Sequence, residues 1–549
     1  MQTFLTTLSH TQRGGTSIDK RQKFCYNFGA IFRKVVLAVK KLLKLLFSRL
    51  AFVALFMLLQ LAVLVSTLIY FQDIFATVQT ASVVLSLIAV VYIINQDGSS
   101  AFKMAWLIPI VFLPIFGVPI YILFGKKRTP ESKREQLSGM LLRYRQTASM
   151  VASKTADIEK AEPDAALQSA YLERCAGAPV FTRTETKYFR LGDELFPAML
   201  EELKRAKRYI FLEYFIVEPG VMWDSILEIL EDKAAAGLDV RLIYDDMGCI
   251  LTLPRNYNKQ MEKRGIKCCT FHRFQPVLTG TFNNRDHRKI CVIDGAVAFT
   301  GGVNLADEYI NRRERFGHWL DCGIMLRGEA AYSFALMFLS MWDYIRHEED
   351  DPQRFLPRPE LLRDVKSDGF VQPYSDAPSD DEPVGETAYI NMLSRAKRYV
   401  YICTPYLVID NELMNALTSA AKCGVDVRMI TPGVPDKWYV HMVTRSYYAP
   451  LLRAGVRVYE YIPGFIHSKT MISDDEYGIC GTINLDYRSL YLHHECAVWM
   501  HGSSAIGDIK ASFLDTLHRC VEITPELYRN RSWIMRLGQS LLRVFAPLM

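Results

Sequence analysis

The apolar residues of this chain are distributed in two different ways. Up to about residue 125 they come as long uncharged runs: Ala51 to Phe71, Ile74 to Gln96 and Met104 to Leu123. About 20 helical residues span a ~30 Å hydrocarbon core, so each run is long enough for a membrane segment and longer than a core helix needs. The third run is broken by Pro109, Pro114 and Pro119. Each proline removes a helix hydrogen bond, so this run is expected to be re-entrant or interfacial rather than a plain span. Beyond about residue 170 the pattern changes to short apolar runs alternating with helical stretches. Ile210 to Phe215 is apolar over a strand's length, a helical stretch reaches Ala236, and Val240 to Tyr244 is a second strand candidate.

The same order then returns. Arg395 to Tyr399 repeats Arg205 to Tyr209 residue for residue, and Val400-Tyr401-Ile402 continues as a strand. Gly424 to Arg428 repeats Gly237 to Arg241 with a single change, Val425 for Leu238. Strand–helix–strand alternation implies an α/β fold with buried central strands, and two such units imply a tandem duplication. The expected architecture is α/β: two tandem units packed about a pseudo-twofold axis, preceded by N-terminal transmembrane helices. The expected divisions are a basic segment (1–50), a membrane region (51–125), a linker (126–170), a first unit (171–350), a Pro/Asp/Ser-rich linker (351–387), a second unit (388–530) and an amphipathic tail (531–549).

Charge sharpens this picture. The chain has a formal net charge of +6, but residues 1–50 hold ten Lys/Arg and one Asp, or +9. The remainder is therefore +6 − 9 = −3, which argues against nucleic acid as a partner of the catalytic part. Basic residues flank the apolar region on both sides, from Arg33 to Arg49 and from Lys126 to Arg134. Both flanks favour the cytoplasmic side. A two-span hairpin in a cell membrane, multi-pass and with cytoplasmic catalytic units, satisfies both. The long basic segment argues against a cleaved signal peptide. Residues 33–47 suit a helix lying on an anionic leaflet, and equally a simple basic flank. The twelve cysteines form no CxxC pair, as in a reducing compartment, and are expected to be structural.

Each unit carries one further constellation. The first is His287-x-Lys289-x4-Asp294 followed by Gly301-Gly302-x-Asn304; the second is His467-x-Lys469-x4-Asp474 followed by Gly481-Thr482-x-Asn484. A lone HxK arises often by chance, and a strand histidine is usually a satisfied core residue. Two copies with the same internal spacing inside a duplication are a different matter. Residues i and i+2 of a strand share a face, so each His and Lys can face one pocket. About a pseudo-twofold axis, two imidazoles and two ammonium groups converge. Neutral imidazole is a nucleophile, its protonated form an acid. The lysines meet negative charge gathering on a phosphoryl group, and the Asn amides add donors. Such a site can cut a phosphodiester by covalent catalysis without a metal or other cofactor.

The paired HxKxxxxD motifs resemble the phospholipase D superfamily. From about residue 100 the chain is similar to bacterial cardiolipin synthases, in phrases such as Leu212-Glu213-Tyr214-Phe215, Asn304 to Tyr309, Thr404-Pro405-Tyr406 and Pro463 through Ser489. The long basic N-terminus departs from that family's shorter pattern, which bears on topology and not on chemistry. The resemblance implies transfer of a phosphatidyl group from one phosphatidylglycerol to another through a phosphatidyl-histidine, releasing glycerol and cardiolipin, with an anionic membrane as the working surface. It makes His287 the expected nucleophile. It also implies an acidic residue downstream of each motif that orients the imidazole, with Asp321 and Glu495 the candidates here. Asp294 and Asp474 complete the motif set and are expected to hold the motif loops by ion pairs rather than to do chemistry. Gly301 and Gly481 are expected to permit close backbone approach. Glu213, Asp245 and Asp246 are candidates for charge pairing at a pocket rim or for substrate contact, and Arg445, Tyr447 and Tyr448 for head-group contact. The tail from Trp533 to Phe545 could dock on a bilayer or pack on the core. The rival readings are a phospholipase D or phosphatidylserine synthase of the same superfamily, a nuclease, and a non-catalytic scaffold; two intact His/Lys sets argue against the last.

Overall fold

The computed structural model describes residues 58–548 apart from 64, 67–71, 97–98, 126–138, 141–142, 145, 149–155, 273–283, 379–381 and 530–531. The basic segment 1–50 and most of the first apolar run lie outside the described residues. The chain forms two bodies, residues 1–93 with 108–120, and 94–107 with 121–549. In the first, the second apolar run is the helix Gln72–Ile94. Among the described residues, it is the one helix long and apolar enough to cross a membrane. The Pro-rich third run is not one helix but two short ones, Ser100–Phe112 and Pro114–Phe124, as its prolines require.

The second body holds two like halves. The first half has β1 (Thr184–Phe189), β2 (Tyr209–Tyr214), β3 (Asp239–Asp245), β4 (Lys267–Phe271), β5 (Arg285–Asp286), β6 (Lys289–Ile293), β7 (Val297–Gly301), β8 (His318–Leu320) and β9 (Gly323–Gly328). The second has β10 (Phe370–Asp376), β11 (Tyr399–Cys403), β12 (Leu407–Val408), β13 (Asp426–Pro432), β14 (Arg457–Tyr461), β15 (Gly464–Ile466), β16 (Thr470–Ser473), β17 (Tyr477–Gly481), β18 (Leu485–Asp486), β19 (His493–His501) and β20 (Cys520–Glu522). The first sheet runs β1-β9-β7-β6-β2-β3-β4, and the second β10-β19-β17-β16-β11-β13-β14 with β20 added at its edge. Position by position the orders correspond, so the duplication read from the sequence is a duplication of topology. In each sheet the central strand, β2 or β11, is parallel to one neighbour and antiparallel to the other.

Every residue of β2 and of β11 is buried, which is why those segments read as unbroken apolar runs. Helices pack on both faces of the sheets. Gly192–Arg205 buries Leu195, Met199 and Leu203 at i, i+4, i+8 spacing, with Asp193 and Glu194 in its first turn and Lys204 and Arg205 in its last, as the helix dipole favours. The covering helices repeat as well. Phe338 of Ala331–Arg346 stacks on Phe211 at 4.6 Å, and Phe513 of Ser504–Leu517 stacks on Tyr401 at 4.8 Å. The sheets meet through one shared apolar cluster that contains Phe211, Ile290 and Val292 of one and Cys403, Ile472 and Val498 of the other. At that contact Thr300 Oγ1 lies 3.5 Å from Cys496 Sγ, and Cys322 Sγ 3.9 Å from Cys480 Sγ.

The segment expected as a linker at 351–387 is structured in good part. It contains β10, which pairs with β19 from Phe370↔His501 to Asp376↔Glu495. Pro373 and the acidic, Ser-containing flanks hid it. A proline is tolerated in this strand because β10 is the edge of its sheet, bridged on its outer side at Val371 to Phe181 but not at Pro373. Gly301 has a φ of 145°, and a Cβ there would collide with the Cys322 carbonyl; a Cβ on Gly481 would meet the Ala497 backbone. Both glycines thus serve close approach of neighbouring strands.

Candidate active site

Two short parallel ladders cross between the halves and build the site. Residues Arg285 and Asp286 of β5 pair with His493 and His494 at the start of β19. In the mirrored position Gly464, Phe465 and Ile466 of β15 pair with His318, Trp319 and Leu320 of β8. One residue beyond each ladder the backbone N–H of His287 donates to the His494 carbonyl at 2.9 Å, and that of His467 to the Leu320 carbonyl at 2.7 Å. One residue on, the opposing strands present Glu495 and Asp321. Nδ1 of His287 lies 2.9 and 3.1 Å from the two Glu495 oxygens, and Nδ1 of His467 lies 2.7 Å from Asp321 Oδ2. Each imidazole is therefore held by a carboxylate of the other half. A carboxylate on Nδ1 selects the tautomer with Nε2 free as base or nucleophile.

Lys289 Nζ donates to the His287 carbonyl at 2.6 Å, and Lys469 does the same to His467. The two ammonium groups are close enough to repel. Burial, with Lys469 adding repulsion and Glu495 opposing, lowers Lys289 to about 7; burial likewise lowers Lys469 to about 8 against the pull of Asp321. Burial lowers His467 to about 4, with Lys469 adding to the effect, and holds His287 well below its usual value against the opposing Glu495. Burial alone would raise Glu495; contact with His287 and His493 keeps it well below the carboxylate range. Burial thus holds both imidazoles neutral, and the two lysines are the cations beside them that a phosphodiester anion would meet. Aromatic rings wall the site. Phe215 stands 5.1 Å from His287, and Tyr309, Trp319 and Phe465 stand 5.7, 5.5 and 5.8 Å from His467.

The structure thus gathers His287, Lys289, His467, Lys469, Asp321 and Glu495. Asn304 and Asn484 flank them. Asn304 accepts from the Ile216 N–H at 3.0 Å and donates to the Tyr309 hydroxyl at 2.8 Å, and Asn484 donates to Asp486 at 3.2 Å. An amide NH2 has two hydrogens, and one of each is used in these contacts.

Asp294 and Asp474 stand apart, ~16 Å of strand away at the far end of β6 and of the equivalent β16. Both lie at positive φ, 53° and 59°. Asp294 accepts from the backbone N–H groups of Lys207, Arg208 and Tyr209 at 2.8, 2.8 and 2.9 Å; Asp474 accepts from those of Lys397, Arg398 and Tyr399 at 2.7, 2.8 and 2.9 Å. The expected ion pairs are instead hydrogen bonds to main chain, and they explain why Arg-Ala-Lys-Arg-Tyr is repeated: that segment is the anchor for the last residue of each motif.

Several other candidates are engaged elsewhere. Glu213 is no rim residue; it is fully buried against Arg288, because burying one charge requires a partner beside it. Asp245 caps the helix Asp246–Cys249 through the Met247 and Gly248 N–H groups, both at 2.9 Å, and burial raises it to about 7. Arg445 pairs with Glu460 at 2.8 Å, Tyr448 bonds Thr431 at 2.7 Å, and Tyr447 lies under Arg543.

One residue at the site, His493, escaped the sequence reading, and Thr482 was named there without a role. His493 has its ring 5.4 Å from that of His287 and its Nδ1 3.6 Å from Glu495. Among the described residues, His287, His493 and Glu495 are the one group whose donor atoms lie close enough, within 4.8 Å, to hold a metal ion. The hydroxyl of Thr482 donates to Glu495. Alternation along β19 could have flagged His493, since it shares a face with Glu495.

Comparison with known proteins agrees with this geometry. A family model described as cardiolipin synthase, phospholipase D-like domain, matches residues 199–321 and again 389–517, and a phospholipase D-nuclease N-terminal model matches 84–126. An uncharacterized protein of Streptococcus mutans is 41% identical over 84% of this chain and 99% of its own length. Cardiolipin synthases of Geobacillus thermodenitrificans and Alkalihalophilus pseudofirmus are 32% and 33% identical, over 84% and 86% of this chain and 92% and 94% of theirs. Among solved structures, a phosphatidylserine synthase of Haemophilus influenzae shares the fold with a TM-score of 0.51 at 14% identity, covering 69% of this chain and 97% of its own.

Two expectations follow from the geometry. Glu495→Gln and Asp321→Asn keep the shape but lose the anionic partner, so each lowers turnover by about 10²–10⁴-fold with little change in melting temperature. Asp294→Ala leaves three main-chain donors without an acceptor and lowers stability by about 1–3 kcal/mol. Thermal unfolding and turnover measured on the same preparations check the contrast, and equal stability losses for all three would contradict it. The second concerns pH. A lysine lowered to about 7 or 8 loses its cation as pH rises through that value. Substrate capture by the free enzyme, read as kcat/KM, therefore falls above about pH 7–8. The bound anion favours the charged form and moves the limb in kcat to higher pH. A kcat/KM flat to about pH 10, the ordinary lysine range, would refute this.

Proposed function

The chain belongs to the cardiolipin synthases built from paired phospholipase D-like domains, and we propose that it joins two phosphatidylglycerol molecules into cardiolipin and glycerol. The observation that carries this reading is the pair of imidazoles, each held at Nδ1 by a carboxylate of the opposite half.

Nε2 of His287 attacks the phosphorus of the first phosphatidylglycerol, and the bond from phosphorus to the glycerol head group breaks. His467, charged when the substrate anion has entered, gives its proton to the departing glycerol oxygen. The phosphatidyl group is then bound to His287, and Lys289 and Lys469 face its oxygens. A primary hydroxyl of the second phosphatidylglycerol gives its proton to His467 and attacks the phosphorus. Cardiolipin leaves and His287 is free again. No step requires a metal ion. The burial of both histidines, 7% exposed each, favours a lipid hydroxyl over water as acceptor.

The cell membrane of a bacterium is the proposed location, with anionic lipid as the working surface and the two halves on the cytoplasmic side. The basic flanks support that orientation. The apolar helix Gln72–Ile94 and the interrupted pair Ser100–Phe112 and Pro114–Phe124 suit a hairpin in which the Pro-rich run does not span.

The test uses purified full-length protein in mild detergent, phosphatidylglycerol as the sole lipid and a chelator of divalent metals. Cardiolipin and glycerol are expected in equal amounts, and His287→Ala and His467→Ala are each expected to abolish both. Phosphatidic acid in place of cardiolipin would make the enzyme a hydrolase. Turnover that awaits another alcohol would contradict the proposed acceptor.

A further inference from the structure

The helix Trp533–Val544 faces the wrong way for a helix that belongs only to a soluble surface. At 3.6 residues per turn, Trp533, Val544, Leu537, Leu541 and Ile534 fall within an arc of about 100°. An arc of that kind normally faces a core. Here all five side chains are between 39% and 71% exposed. The inward side is mixed, with Leu542 packed on the core and polar groups beside it. Gln539 is buried, and the Arg543 guanidinium lies 4.2 Å over the Tyr447 ring and reaches the Ser446 carbonyl. The helix packs against Trp438–Ser446, whose first residues add Trp438, 69% exposed, and Tyr439 to the outer surface.

Charge decides what covers this face. From Tyr528 to Met549 the sequence holds Arg529, Arg531, Arg536 and Arg543 and no Asp or Glu. Tryptophan with aliphatic residues on one face and arginine along the helix is the composition of a segment lying in an anionic membrane interface. A chain of contacts links the Trp438 end of this surface to the site. Asp436, two residues before Trp438, accepts from the Tyr406 hydroxyl at 2.5 Å; the Tyr406 ring is 6.3 Å from Phe465, which is 5.8 Å from His467.

We propose that the outer face of Trp533–Val544, with Trp438 and Tyr439, is a docking surface for an anionic lipid bilayer. It sets the mouth of the site at the membrane interface, so that lipid head groups enter from the leaflet without crossing water. This goes beyond the reaction proposed above, which uses no residue of this helix.

The test reads membrane contact without reference to turnover. Full-length protein and its Trp533→Phe variant are reconstituted in vesicles of phosphatidylglycerol and phosphatidylcholine, and the difference in their fluorescence isolates Trp533. Quenching by lipids brominated on the acyl chains, with protection from aqueous iodide, is expected. Quenching by iodide and not by bromine would show a face left in water. Protection from both would show a protein cover, such as a second copy of the chain. Either result overturns the proposal. The exposed Leu537→Glu supplies a second readout. Its rate on phosphatidylglycerol vesicles is expected to fall about ten-fold, the loss of one buried leucine, while its rate on detergent-dispersed phosphatidylglycerol is unchanged. An equal effect in both, or none in either, would also overturn it.

Discussion

The site depends on one constraint: each motif histidine takes its carboxylate from the opposite half of the molecule. Glu495 follows the ladder that ends at His494, and Asp321 follows the ladder that ends at Leu320. Neither half therefore contains a complete acid–imidazole pair. The two sheets have to dock in a single register for His287 and His467 to be oriented. The apolar cluster shared by the two sheets supplies that docking, and the ladders fix the register. A duplication joined in this manner cannot lose one copy and keep half its chemistry.

The two pairs are alike without being identical, and their differences sit where a symmetric scaffold has to do asymmetric chemistry. Behind Asp321 the chain has Gly302, where any Cβ would strike that carboxylate. Its counterpart behind the longer Glu495 is Thr482, whose hydroxyl donates to the carboxylate. Trp319 Nε1–H reaches Asp321 at 3.3 Å, whereas Glu495 has His493 as its second neighbour. One imidazole is therefore set by a shorter acid beside an indole and the other by a longer acid bound to a hydroxyl.

Much of this was legible in the sequence because repetition carries its own control. The offset between the two HxKxxxxD copies revealed the duplication, and the buried runs at Ile210 and Val400 revealed central strands. Contacts between the halves were not legible. Asp321 lies downstream of the first motif yet serves the second, and no spacing along the chain encodes that exchange. Glu213 read as a rim acid because a charge inside an apolar run gives no sign that Arg288 will be buried with it. Pro373 disguised β10, since only the finished sheet shows that strand to be an edge. The tail reads as amphipathic, but which of its faces is turned outward is a property of the packed molecule.

The most direct test of the account is to find where the phosphatidyl group is held. Full-length unsubstituted protein, supplied with phosphatidylglycerol labelled in its phosphate, is quenched within the first turnover without acid and digested, and the labelled peptide is sequenced by mass spectrometry. The account predicts an acid-labile phosphatidyl group on His287, and no label in the His287→Ala or His467→Ala protein, since His467 also protonates the glycerol that leaves in the first half-reaction. A label on another residue, on both motifs, or on none while cardiolipin still forms would contradict it.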